Sequence, residues 1–217
     1  MKYPNITRGA FIDRPNRFTA HVDINGSIHI AHVKNTGRCR ELLLPGAEVF
    51  LTVPGTPGRK TVYDLVAVTK QNGLAVNIDS QAPNAVAKEW LDCGGYDRIV
   101  PEYRFGDSRR DFYMEKGPER FLMEVKGCTL EREGVGYFPD APTLRGAKHL
   151  HELARAVKEG YTACLAFVIQ IEGIREVRPN TDTDLAFAQA LENAEKAGVN
   201  VLFLPCRVTP DSLEAAP

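Results

Sequence analysis

Asp111, Glu124 and Lys126 are the side chains in this sequence whose types and spacing could carry out hydrolysis. Two strand-like runs, Arg110 to Glu115 and Arg120 to Lys126, flank a Gly117-Pro118 turn, and the hairpin this predicts sets Asp111 opposite Glu124. Period-two alternation sends Phe112, Met114, Phe121, Met123 and Val125 to an apolar face and Asp111, Glu124 and Lys126 to the other. Opposed residues have Cβ atoms about 4.5–5.5 Å apart, where two negative charges repel, so the pair needs a cation. Lys126 is one such cation. A divalent metal is another, and hard oxygen ligands with vacant positions suit Mg²⁺ or Mn²⁺ and recruit phosphate. Two other readings stand beside this. An acidic pair neutralised by Lys126 on a solvated sheet face needs no chemistry at all, because E-x-K is common by chance. Carboxylates about 5 Å apart also match a retaining glycosidase, ranked lower because Trp90 is the only tryptophan and Lys126 favours phosphate.

A helix is expected from Ala141 to Glu159, N-capped by Asp140 and stopped by Gly160. Along it, Arg145, Lys148, His149 and Glu152 recur at i, i+3, i+4 and i+7 as one polar stripe, while Leu150, Leu153, Ala154 and Val157 form a separate apolar face. The stripe can meet a phosphate backbone. Its simpler reading is a solvated face on which Arg145 and Lys148 pair with Glu152.

The elements that must position these residues fall into two stretches. Up to about residue 80, short strands are expected at Gly9 to Ile12, Arg17 to Ile24, Ser27 to His32, Ala47 to Val53, Thr61 to Thr69 and Gly73 to Asn77. Turns at Asn25-Gly26, Pro54 to Gly58 and Gln71 to Gly73 separate them, and a five-stranded barrel fits this size. Beyond, helix and strand alternate: a helix over Asn84 to Leu91, a strand over Ile99 to Phe105, the hairpin, the long helix, a strand over Ala163 to Gln170, a helix over Asp184 to Ala197 and a strand over Val199 to Leu204.

The 217 residues carry 27 Lys and Arg against 28 Asp and Glu, a net charge of -1 that taken alone argues against a nucleic-acid partner. The sum hides a split. Residues 1–80 hold ten basic against six acidic residues, and the remainder 17 against 22. Composition is that of a globular chain. No apolar stretch approaches the roughly 20 residues of a membrane span, and the first residues lack a signal-peptide pattern, so a cytoplasmic location away from membranes is expected. Cys39, Cys93, Cys128, Cys164 and Cys206 are scattered, which favours packing thiols over disulfides or zinc.

The motifs together resemble a known family. Asp111, Glu124-Val125-Lys126, Gly136-Tyr137-Phe138-Pro139-Asp140-Ala141 and Thr143-x-Arg145-Gly146-x-Lys148-His149-Leu150-x-Glu152-Leu153 are similar to the sugar fermentation stimulation protein A family, as are Arg17-Phe18, Asn35-Thr36-Gly37-Arg38 and Glu41-Leu42-Leu43-x-Pro45-Gly46 upstream. The resemblance implies an α+β two-domain fold: an OB-type β-barrel over residues 1–82 that binds nucleic acid, then a mixed α/β domain over residues 83–217 resembling PD-(D/E)xK, restriction-endonuclease-like nucleases. It implies Asp111 and Glu124 as metal-binding acids, Lys126 as the motif lysine, and Glu89 as a further acidic ligand, with Mg²⁺ or Mn²⁺ as cofactor. Arg110 stands where such nucleases often have Pro.

Arg17, Arg38, Arg145, Lys148 and His149 are then the expected nucleic-acid contacts, with Arg8, Arg14, Lys34 and Arg40 available and Tyr3, Phe11 and Phe18 interleaved; Phe18 is expected in the core. The resulting expectation is a DNA-binding protein with little sequence specificity and a Mg-dependent nuclease-like site. The alternative is a DNA-binding regulatory factor in sugar (maltose) metabolism whose nuclease site is vestigial. RNA in place of DNA stays open, as does the oligomeric state, a homodimer included.

Overall fold

The computed structural model describes residues 1–35, 37–55 and 58–216; Thr36 of the Asn35-to-Arg38 motif and Thr56-Pro57 of the expected turn lie outside them. Six strands come first: β1 (Thr7–Asn16), β2 (Thr19–Ile24), β3 (Ser27–Val33), β4 (Glu48–Thr52), β5 (Tyr63–Thr69) and β6 (Ala75–Asn77). Their order is β3-β2-β1-β4-β5-β6, and a parallel β3–β5 pairing closes β1 to β5 into a barrel, as expected. The β2–β3 hairpin turns at Asn25-Gly26, both at positive φ (53° and 82°), which is why those two residue types occupy a tight hairpin loop. Alternation fills the interior with Ala20, Val22, Ala31, Val33, Leu51 and Leu65.

The rest of the chain forms α1 (Ala82–Asp92), β7 (Arg98–Phe105), β8 (Ser108–Lys116), β9 (Glu119–Cys128), β10 (Leu130–Arg132), β11 (Val135–Phe138), α2 (Leu144–Lys158), β12 (Thr162–Ile169), β13 (Val177–Pro179), α3 (Leu185–Lys196), β14 (Asn200–Thr209) and β15 (Ser212–Ala215). The main sheet has the order β15-β14-β12-β9-β8-β7, and β10-β11-β13 make a second, small sheet. Apolar side chains of α1 pack on one face of the main sheet with Phe112, Met114, Met123 and Val125. Those of α2 and α3 pack on the other with Leu122, Leu165 and Phe167. Two-sided burial explains why β12 reads as an unbroken apolar run.

The expected start of α2 is corrected. It begins at Leu144, capped by Thr143, whose side-chain oxygen accepts the Gly146 N–H at 3.0 Å. Pro142 disfavours helical backbone at Ala141, so the helix cannot start where Asp140 would cap it. Asp140 instead accepts the Arg38 N–H at 3.2 Å, joining the barrel to the second half. A second tie runs through Gln170, whose Nε2 donates to Asn77 Oδ1 at 2.8 Å and to the Asp79 carbonyl at 3.1 Å. Among the described residues no helix is long and apolar enough to cross a membrane, and all five cysteines are free.

Candidate functional site

The β8–β9 ladder has the expected register from Lys116 opposite Glu119 to Phe112 opposite Met123. One step further, where Asp111 was to face Glu124 in the ladder, a side chain takes over: Asp111 Oδ2 accepts the Val125 N–H at 2.7 Å. Its other oxygen accepts from Asn84 Nδ2 of α1 at 2.9 Å. The two carboxylates therefore meet where the strands part. They line a cleft of about 260 Å³ together with Lys126, Arg145, His149 and Thr143.

The solvated-face reading of the pair is overturned. Glu124 is 2% exposed because α2 covers it. A buried carboxylate must be paired and hydrogen-bonded to stay charged, and Glu124 is. Oε1 accepts from Lys126 Nζ at 2.6 Å and from His149 Nδ1, and Oε2 accepts from Arg110 Nη1 at 3.1 Å. Burial alone would raise its pKa, but the His149 hydrogen bond and the Lys126 charge outweigh it and hold the carboxyl down at about 2. Asp111 goes the other way. Burial and then the Glu124 charge push its carboxyl up, with only partial relief from the Val125 N–H, Asn84 and Lys126. Among the described residues no basic group forms an ion pair with it.

The α2 stripe is solvated only in part, with Arg145 and Lys148 exposed. His149 and Glu152 are buried against the sheet. Arg145 Nε donates to His149 Nε2 at 3.2 Å, so that nitrogen accepts and Nδ1 carries the proton given to Glu124. Below, Arg110 is fully buried and bridges Glu124 to Glu152, its Nη2 donating to Glu152 Oε2 at 2.6 Å, while Ser108 Oγ donates to the other Glu152 oxygen at 2.7 Å. Lys148 points out to solvent and reaches Glu152 only at 3.8 Å. Of the expected residues, Asp111, Glu124, Lys126, Arg145 and His149 come together, and Lys148 does not.

Glu89 does not join them. It lies on an exposed part of α1 and pairs with the Met1 amine at 2.7 Å, whereas Asn84 is the α1 residue that reaches Asp111. Sequence reasoning missed Asn84, Arg110 and Ser108. The barrel residues divide as sharply. Phe11 and Tyr3 are inward, Arg8 pairs with Glu48, Lys34 pairs with Asp64, and Arg14 is consumed by main-chain carbonyls. Phe18, expected in the core, is 50% exposed, because Asn16 and Arg17 place it in the β1–β2 connection and not within the strand. Arg17 lines the wider cleft of about 560 Å³ between barrel and main sheet, in company with Lys126 and Arg145.

Hard oxygen donors from Asp111 and Glu124, with the Asp111 carboxyl lacking a cation, fit one small divalent ion bound through one or two carboxylates and completed by water and phosphate. Among the described residues no three His, Cys, Asp or Glu side chains are grouped to hold a metal by themselves. His149 adds no ligand, since its inward nitrogen is a donor.

Two family models match this chain: the sugar fermentation stimulation protein RE domain over residues 81–212 and the SfsA N-terminal OB domain over residues 12–78. A sugar fermentation stimulation protein homolog of Desulfitobacterium hafniense is 54% identical over 218 residues, covering 99% of this chain and 95% of that protein. One of Ruminiclostridium cellulolyticum is 46% identical, covering 99% and 96%. A solved structure, that of Pyrococcus furiosus SfsA in complex with Ca²⁺, matches with a TM-score of 0.87 at 27% identity over 99% of this chain and 96% of that one. The barrel is thus of OB type and the mixed α/β half of restriction-endonuclease type.

Proposed function

The chain belongs to the sugar fermentation stimulation protein family, and from that premise we propose that it binds DNA with little sequence specificity and hydrolyses phosphodiester bonds at Asp111 and Glu124 with Mg²⁺ or Mn²⁺. The observation that carries the reading is a carboxylate pair, Glu124 buried and Asp111 partly buried with no ion-pair partner among the described residues, set in one cleft with Lys126 and Arg145. The relative from Pyrococcus furiosus, solved in complex with Ca²⁺, supports divalent-cation binding in this fold. A bound cation would polarise the scissile phosphate and make a water more acidic. The protein's part is positioning. Asn84 and the Val125 N–H orient Asp111, and Arg110 with His149 orients Glu124. Lys126 Nζ, adjacent to Glu124, orients the attacking water and offsets negative charge as the phosphorane-like state develops. Arg145 holds a phosphate oxygen with the nitrogens that His149 does not use. The cytosol is the proposed compartment.

One observation favours a second reading, a DNA-binding regulator in sugar metabolism with a vestigial site: both Glu124 oxygens are already engaged by Lys126, His149 and Arg110. One experiment separates the two. Supercoiled plasmid and single-stranded DNA are incubated with purified protein, with and without Mg²⁺ or Mn²⁺. Metal-dependent nicking that falls by at least about 100-fold in Asp111→Asn and in Lys126→Ala supports the nuclease. Binding with no cleavage under any metal selects the regulator, and nicking that survives in both variants removes these residues from the chemistry.

A further inference from the structure

We infer that the substrate is a single DNA strand, threaded along a groove that runs from the β1–β2 connection of the barrel to the acidic pair; this rests on the reading of the cleft as a phosphodiester site. Three clefts join end to end. One of about 460 Å³ on the barrel holds Arg17, Arg38 and Arg40, and Arg17 with Gly37 also lines the cleft between barrel and sheet. That cleft in turn shares Lys126 and Arg145 with the cleft of the carboxylates. Among the described residues Arg17, Arg38, Arg40 and Arg145 form no ion pair, whereas Arg8, Lys34 and Arg59 elsewhere on the barrel do. Unpaired guanidinium groups along one groove are what a phosphate backbone neutralises.

The groove is also held open in advance. Arg14 donates to the carbonyls of Arg17 at 2.7 Å, Asn35 at 2.7 Å, Gly37 at 2.9 Å and Arg38 at 2.9 Å, so one guanidinium ties together the two segments that carry the exposed arginines. Gly37 meets the other wall so closely that a Cβ there would lie 2.2 Å from Asp140 Oδ2. Next to Arg17 of the groove, Phe18 is half exposed with the Arg17 guanidinium 5.3 Å above its ring. An exposed ring beside a basic groove stacks on the splayed bases of a single strand, whereas duplex bases are already stacked on each other. This path leaves aside the outer β2–β3 face, where Ile28 and Ile30 are exposed.

The test measures binding in EDTA, so it stands apart from whether the protein cleaves. Fluorescence anisotropy with a labelled oligothymidine of about 20 nucleotides, against a duplex of the same length, is expected to show at least about tenfold tighter binding to the single strand. Arg17→Glu with Arg38→Glu is expected to weaken it by more than tenfold, Phe18→Ala by about tenfold, and Ile30→Glu not at all. The log–log salt slope should also shrink by roughly 0.7 per arginine removed. Equal affinity for duplex, insensitivity to the arginine changes, or loss with Ile30→Glu in their place would overturn the inference.

Discussion

Two carboxylates, one cleft and opposite environments make the sharpest contrast at the scale of single residues. The Glu124 carboxyl is lowered from its ordinary 4.5 to about 2, so its ion pairs stabilise the fold above pH 4.5, and that contribution is lost as the pH falls from there toward 2. It amounts to something on the order of 3 kcal/mol. The Asp111 carboxyl is raised, which has the reverse sign: its ionised form costs stability at neutral pH, and acid relieves the cost. Glu124→Gln is therefore expected to lose about 3–5 kcal/mol in urea titration at pH 7 and to flatten the acid limb of the stability curve, because Arg110 keeps only Glu152 as counter-charge and Lys126 loses its own. Asp111→Asn should stay within about 1 kcal/mol of the parent, or gain. Equal losses would mean that the two environments do not differ as described. Asp111, Glu124 and Lys126 were legible in the sequence because alternation along the hairpin up to Phe112 and Met123 points toward them. Arg110 was not, because alternation sends it to the apolar face with Phe112, and only the parting of the strands at Asp111 lets it turn toward Glu124. Glu89 was misplaced for a similar reason: five residues on from Asn84 it stands about 140° around the helix.

Among the elements, α2 carries Arg145 and His149 to the pair, and its position depends on its first turn. Thr143 caps α2 while its N–H donates to Asp184 Oδ2 at 2.7 Å, and Asp184 caps α3, so the two helix starts are locked to each other. Gly146 lies at the contact. A Cβ there would fall 2.7 Å from Thr143 Cγ2 and 3.1 Å from Phe187 Cδ2 of α3. Alanine is the better helix former by about 1 kcal/mol, but overpacking costs roughly 1–3 kcal/mol and should win. Gly146→Ala is expected to lower the urea midpoint and, by shifting Arg145, to cut cleavage further than the stability loss explains. A more stable Gly146→Ala would show that the helix pair has slack. Most helices and long strands were legible from periodicity. The strands β10, β11, β13 and β15 were not, since runs of three or four residues carry no period and are made by pairing with distant partners. Misreading the α2 start came from giving Asp140 more weight than Pro142.

Over the whole molecule, charge and core divide the chain differently. The basic excess of residues 1–80 and the acidic excess of the remainder match the proposed division into a grip and a reacting site. The hydrophobic core ignores that division. One continuous cluster runs from Val22, Leu51 and Ile78 of the barrel to Leu122, Leu153 and Phe187 of the second half, and the buried Asn77–Gln170–Asp79 bonds span the same junction. Burial shared in this way couples the stabilities of the parts, so the proposed division after residue 82 should not appear as two melting units. Hydrogen exchange read by mass spectrometry in increasing urea should lose protection in β2, β5 and β12 at one common concentration. Asn77→Ala, which leaves the buried Gln170 amide only its bond to the Asp79 carbonyl, should cost about 1–3 kcal/mol and begin to separate the barrel transition from the rest. Barrel strands that already exchange before β12 in the unaltered protein would show that the core is continuous in contact but not in cooperativity. A rigid junction is also what the proposed site would require, because Arg17 on the barrel and Arg145 on α2 line one cleft and could serve one strand of DNA only while that cleft keeps its width.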